Sequence, residues 1–171
     1  MVHSFTLNKE ALKRCFSVYV VWAKHANHHY LYVGKTGDNR EGCNPVISRC
    51  GNHFSYNDIH SQIRNKISNH EERDYKYYFV HFDPYVTNGD NSQAIDKINE
   101  MERWLNEKVS SAHLEHKNAL GANTVELLNP YSGSYVKQSE KQQRSSFRID
   151  DARKQLDDLV SMLFDDIIKS L

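Results

Sequence analysis

Ser17-Val18-Tyr19-Val20-Val21-Trp22 and, after a polar interval, Tyr30-Leu31-Tyr32-Val33-Gly34-Lys35 are the two stretches that decide the fold of this chain. Both are β-branched and aromatic runs of the kind that suits a pleated, half-buried surface, and Lys24 to His29 between them is polar. The pattern predicts a β-hairpin. Strand side chains alternate between faces, so Tyr30 and Tyr32 share one face while Leu31 and Val33 share the other. One face is therefore rich in phenols and can stay wet. Gly34 ends the second run where a backbone can approach a ligand, and Lys35 places a point charge beside it.

Working outward, Leu7, Ala11 and Leu12 fall at helical spacing behind a cap at Thr6 or Asn8, which predicts a short N-terminal helix. Residues 37–42 read as a loop by composition. Pro45 suits the first turn of a helix that carries Val46, Ile47 and Arg49 and ends at His53; Arg49 and His53, four apart, share one face of it. Ile59, Ile63 and Ile67 predict a second amphipathic helix. Tyr75 to Phe82 predicts a third strand, placed centrally in the sheet for its aromatic density. From Ser92 to about His116, Ile95, Ile98, Met101, Leu105 and Val109 trace a helical stripe, with Glu102 at its edge. Val125 to Leu128 is a short extended piece, 131–146 a Ser-, Gln- and Lys-rich linker, and the segment from Phe147 a helix whose apolar face is Leu156, Leu159, Val160, Leu163, Phe164 and Ile167.

These elements predict an α/β chain of the α+β type: a small, mainly antiparallel three-stranded sheet flanked by helices, with a C-terminal helical arm. The expected organisation is a domain over 1–130, a linker over 131–146 and a helix over 147–171 that packs on the domain, on a protein partner or on a second copy. With 39% hydrophobic and 26% charged residues, the composition is that of a globular chain and not a disordered one. No apolar run reaches membrane-spanning length, no stretch at the N-terminus has signal-peptide character, and three cysteines cannot all pair within the chain. The expected location is the cytoplasm, with no membrane partner. Lysines and arginines balance acids at 22 each, which disfavours a nonspecific nucleic-acid coat. The charge is nonetheless uneven, basic around Lys35, Arg40, Arg49, Arg64 and Lys66 and acidic over 150–166.

In order along the chain, Ser17-Val18-Tyr19, Tyr32-Val33-Gly34, Arg49-Cys50-Gly51-Asn52-His53 and Glu102-Arg103-Trp104-Leu105 resemble the motifs of the GIY-YIG nuclease family. Ser17 stands where that family usually has glycine, and 12 residues separate Tyr19 from Tyr32, slightly more than its usual interval. The resemblance spans roughly Phe16 to Asn129. It implies a metal-dependent endonuclease acting on DNA in repair, restriction or a mobile element, with Tyr19, Tyr32, Lys35, Arg49, His53 and Glu102 in the active site. Glu102 would hold Mg²⁺ or Mn²⁺, and Gly34 with a bracing asparagine would complete the site. Asn123 and Asn129 lie 21 and 27 residues beyond Glu102, and both are candidates for that brace.

The chemistry of these side chains fits the implied labour. A lone carboxylate with several waters suits Mg²⁺, which keeps much of its hydration shell. A guanidinium matches two phosphate oxygens and keeps its charge, so Arg49 would contact the scissile phosphate, with Arg64 as its rival. Lys35 would hold the attacking water or a phosphate oxygen. Tyr19 and Tyr32 are both candidates to take a proton from water, and a phenol with an ordinary pKa near 10 needs a neighbouring cation or metal to do so. His53 would act as an acid or base or hydrogen-bond a tyrosine. Two other readings compete: a nucleic-acid-binding or protein-interaction module that keeps this scaffold without cutting, and a zinc site of Cys43, Cys50, His53 and one of His25, His28 or His29.

Overall fold

The predicted hairpin lies at the centre of the sheet. Strands β1 (Cys15–His25) and β2 (His28–Lys35) pair antiparallel from Val18 opposite Lys35 to His25 opposite His28. The turn contracts to Ala26 and Asn27, with Ala26 at φ 47°, a left-handed conformation that L-residues enter only at a cost. This computed structural model describes residues 1–37, 42–131 and 144–171. Most of the 37–42 loop, Arg40 within it, and most of the 131–146 linker therefore lie outside the described residues.

The expected three-stranded, mainly antiparallel sheet is overturned. The sheet is four-stranded and mixed, in the order β3-β1-β2-β4. β3 (Asp74–Pro84) pairs antiparallel with β1, and β4 (Thr124–Leu127) pairs parallel with β2 from His28 opposite Thr124 to Leu31 opposite Leu127. The parallel pair follows from the connection. α2 (Ser92–Glu115) and the single turn α3 (Lys117–Leu120) carry the chain back across one face, so the next strand runs the same way as β3 and β2. β3 is consequently an edge strand and not the central one; its only buried residue is Tyr78. Its aromatic density comes from rings lying over both faces at the edge.

Alternation sorts the hairpin into two cores. Val18, Val20, Trp22, Leu31 and Val33 face α2 and α4 (Asp150–Lys169), against Ile98, Met101, Leu105, Leu156, Leu163, Phe164 and Ile167. Each such side chain contributes about 1.5–3 kcal/mol on burial. Truncating Leu105, which is wholly buried, would cost about 2–5 kcal/mol. Tyr19, Val21 and Ala23 face the opposite way, under Ile63, Ile67 and Phe54 at the end of α1 (Val46–Phe54).

The C-terminal helix packs on the domain. The Arg148 Nε donates to Glu100 at 2.7 Å and its Nη1 to Glu107 at 2.8 Å, and the Tyr78 hydroxyl donates to Asp166 at 2.7 Å. Two helices expected from spacing do not form as such. Residues 57–69 are successive turns, in which Ile63 and Ile67 are buried but Ile59 is 77% exposed. The N-terminal helix is one 3-10 turn, Lys9–Leu12, capped by Asn8, whose side-chain Oδ1 accepts from the Glu10 N–H. No helix among the described residues is long and apolar enough to cross a membrane.

Candidate active site

Tyr19 lies directly opposite Gly34 in the β1–β2 register, and its ring crosses over the glycine. A Cβ at Gly34 would stand 2.4 Å from Tyr19 Cζ and 2.5 Å from its hydroxyl. The glycine is thus the bed of the Tyr19 ring, which explains why a residue without a side chain stands next to last in this strand. Tyr19 is only 1% exposed, and its hydroxyl lies 2.8 Å from His53 Nε2. His53 closes α1 and is 4% exposed. Its ring meets Tyr19 edge-on at 5.7 Å and Tyr32 edge-on at 4.9 Å, so one imidazole touches both tyrosines.

Arg49, one helical turn before His53, is near enough for its charge to act on the same Tyr19 phenol. Burial pushes the Tyr19 phenol far above its ordinary range; Tyr32 adds to that, and Arg49 opposes it. Burial, with help from Arg49, pushes His53 down to about 4. At neutral pH the pair is therefore a protonated Tyr19 and a neutral His53.

Lys35 lies opposite Val18 in register, so its side chain leaves on the α2 side of the sheet. There its Nζ donates to Glu102 Oε2 at 2.7 Å, and the two side chains are 16% and 29% exposed. Glu102 is close enough for its charge to act on the Tyr19 phenol. The candidate residues thus converge at the Gly34 end of β2, the tyrosines, Arg49 and His53 from one face and Lys35 with Glu102 from the other.

Asn129 belongs to this end as well. Its side chain receives the Val33 N–H at 3.0 Å and donates to the Val33 carbonyl at 2.6 Å, which extends the sheet by one amide. Asn123 does not: it donates to the Leu120 carbonyl, capping α3 beside the hairpin turn. Arg64, the rival cation, pairs with Asp58 and lies over the Tyr56 ring.

One neighbour, Asn106, escaped sequence reasoning, and another, Lys66, was read only as part of a basic region. Asn106 donates to the Asn129 carbonyl and accepts from the Tyr131 N–H, tying the post-β4 segment to α2; its position one turn after Glu102 was the available signal. Lys66 lies over the Tyr32 ring with its Nζ 5.7 Å from the centroid, hidden by the misread helix. For the zinc reading, Cys43 donates to the Cys15 carbonyl and Cys50 lies by Tyr77. Among the described residues no group of three or more His, Cys, Asp and Glu side chains could hold a metal.

Comparison with family models, curated proteins and solved structures gives no match to this chain.

Proposed function

We propose that the chain is a metal-dependent endonuclease that hydrolyses DNA phosphodiester bonds at the Gly34 end of β2, as its resemblance to GIY-YIG nucleases implies. The observation that carries this reading is the convergence there of two phenols, a neutral imidazole, a guanidinium and a lysine–carboxylate pair. They come from β1, β2, α1 and α2, 83 residues apart at the extremes.

The difference in burial divides the labour of the tyrosines. Tyr32 is half-buried whereas Tyr19 is covered, so Tyr32 takes the water-side role. Tyr19 lies behind it, hydrogen-bonded to His53. Arg49 and Lys35 offset the charge that grows on phosphate during attack. With Lys35 on Oε2, Glu102 keeps one carboxylate oxygen for a cation. A donor set of one carboxylate fits a largely hydrated Mg²⁺ or Mn²⁺, which would supply Lewis-acid stabilisation of phosphate oxygen when bound. That Cys15, Cys43 and Cys50 form no disulfide fits a reducing compartment such as the cytoplasm.

The test is incubation with supercoiled plasmid and Mg²⁺ of the wild-type protein, Arg49→Ala and Glu102→Ala. Nicking by wild type and its loss in both variants is expected. Equal nicking by all three, or none by wild type, would sink the reading.

A further inference from the structure

Three ring side chains stand on the Tyr19 side of β2 at alternate positions: His28, Tyr30 and Tyr32. The His28 and Tyr30 rings are 5.1 Å apart, and Tyr32 is the phenol beside His53. Two of the three carry a cation. Arg73 lies over Tyr30 at 4.8 Å, its Nε and Nη1 covered and without a hydrogen-bond partner, and Lys66 lies over Tyr32. His28 is exposed and Tyr30 and Tyr32 half-buried, and nothing in the hydrolytic chemistry uses the first two. An acid borders the row: Glu126, opposite Tyr30 on β4, is exposed.

We infer that this row is the path of an unpaired DNA strand leading to the Gly34 end of β2, its bases on His28, Tyr30 and Tyr32 and its phosphates toward Lys66 and Arg73. The inference rests on the nuclease reading and names its substrate class: DNA with a single-stranded segment next to the cleavage point. Aromatic rings in series offer stacking surfaces, which only unpaired bases can reach, and interleaved cations match the charge of the backbone. The acid at Glu126 keeps a polyanion off the β4 side of the line of rings. The chain's overall neutrality fits a narrow track of this kind better than a broad duplex-binding face.

Fluorescence anisotropy with a labelled oligo-dT of about 12 nucleotides, within the range bound by single-strand platforms, and with a duplex of equal length tests the path. Wild type is expected to prefer the single strand. Tyr30→Leu is expected to weaken oligo-dT about tenfold and leave the duplex unchanged, and Tyr30→Trp to restore binding, which separates stacking from damage to the fold. Lys66→Gln and Arg73→Gln are each expected to flatten the log–log salt dependence by about 0.7. No oligo-dT binding by wild type, unchanged affinity in Tyr30→Leu, or equal losses for both DNAs overturns the path. Plasmid nicking measured on the same preparations separates the two claims. Nicking without Tyr30-dependent binding removes the path alone, and Tyr30-dependent binding without nicking supports the path and removes the cleavage reading alone.

Discussion

Replacing Gly34 by alanine tests the seat of Tyr19 most sharply. The added methyl would meet Cζ, the hydroxyl and Cε2 of Tyr19 at 2.4, 2.5 and 2.7 Å, about 1 Å inside ordinary contact. Gly34 has no positive φ, so alanine is not strained by its own backbone, and fewer unfolded conformations favour it by about 0.4–1 kcal/mol. The ring must move, and it is buried. Overpacking of this kind costs about 1–3 kcal/mol. Losing the hydrogen bond to buried His53 adds about 1–3 kcal/mol. The net prediction is a loss of roughly 2–4 kcal/mol, read in urea as a midpoint lower by about 1–2 M at unchanged slope. Tyr19→Leu removes all three clashing atoms. In the Tyr19→Leu background, Gly34→Ala should therefore cost nothing or stabilise slightly, a coupling that a double-mutant cycle measures. If Gly34→Ala is as stable as wild type, or costs the same with leucine at 19, the reasoning about this contact is wrong.

His53 gives a pH dependence of defined sign. Its folded pKa, about 4, lies below the unfolded value near 6.5. The folded state therefore resists protonation, and its contribution to stability is complete above about pH 6.5. Between pH 6.5 and 4 it is lost, by up to roughly 3 kcal/mol. The stability advantage of wild type over His53→Asn should shrink by that order when urea melts at pH 7 and pH 4 are compared; a constant difference contradicts the burial of a neutral imidazole. The two asparagines should also separate. Asn129→Ala strands the Val33 amide and carbonyl and is expected to lose about 1–3 kcal/mol, whereas Asn123→Ala removes one cap bond worth about 1 kcal/mol or less. Equal losses in thermal or urea melts would remove the distinction drawn between them.

The hairpin was legible because its β-branched runs carry a period of two that no helix reproduces, and the same alternation placed Tyr30 and Tyr32 on one face; that Tyr19 shares it depends on the β1–β2 register. Arg49 and His53 were legible as helical neighbours. The sheet was misjudged where local signals are weak. β4 has four residues and buries one, Val125, so its pairing depends on where α2 delivers it. The aromatics of β3 mimic a central strand because edge rings also cover the faces. Over 57–69, isoleucine spacing imitates a helix, but Asn57 Oδ1 takes the Ile59 N–H and Asn65 donates to the Asp58 carbonyl. Such local bonds compete with helical ones and favour turns. Asn129 could not be chosen over Asn123 from spacing, since the choice depends on which of them reaches β2 after β4.

The central claim is that the Gly34 end of β2 breaks phosphodiester bonds in DNA. Its most direct test is the initial rate of supercoiled-plasmid nicking in Mg²⁺ by wild type and by Glu102→Gln, which keeps the side chain's size and removes the charge that would hold the cation. The account predicts metal-dependent nicking by wild type, abolished by chelation, and a rate at least about 100-fold lower in the variant, on the scale of losing one strong transition-state interaction. Equal rates in the two proteins, or nicking indifferent to chelation, would contradict it.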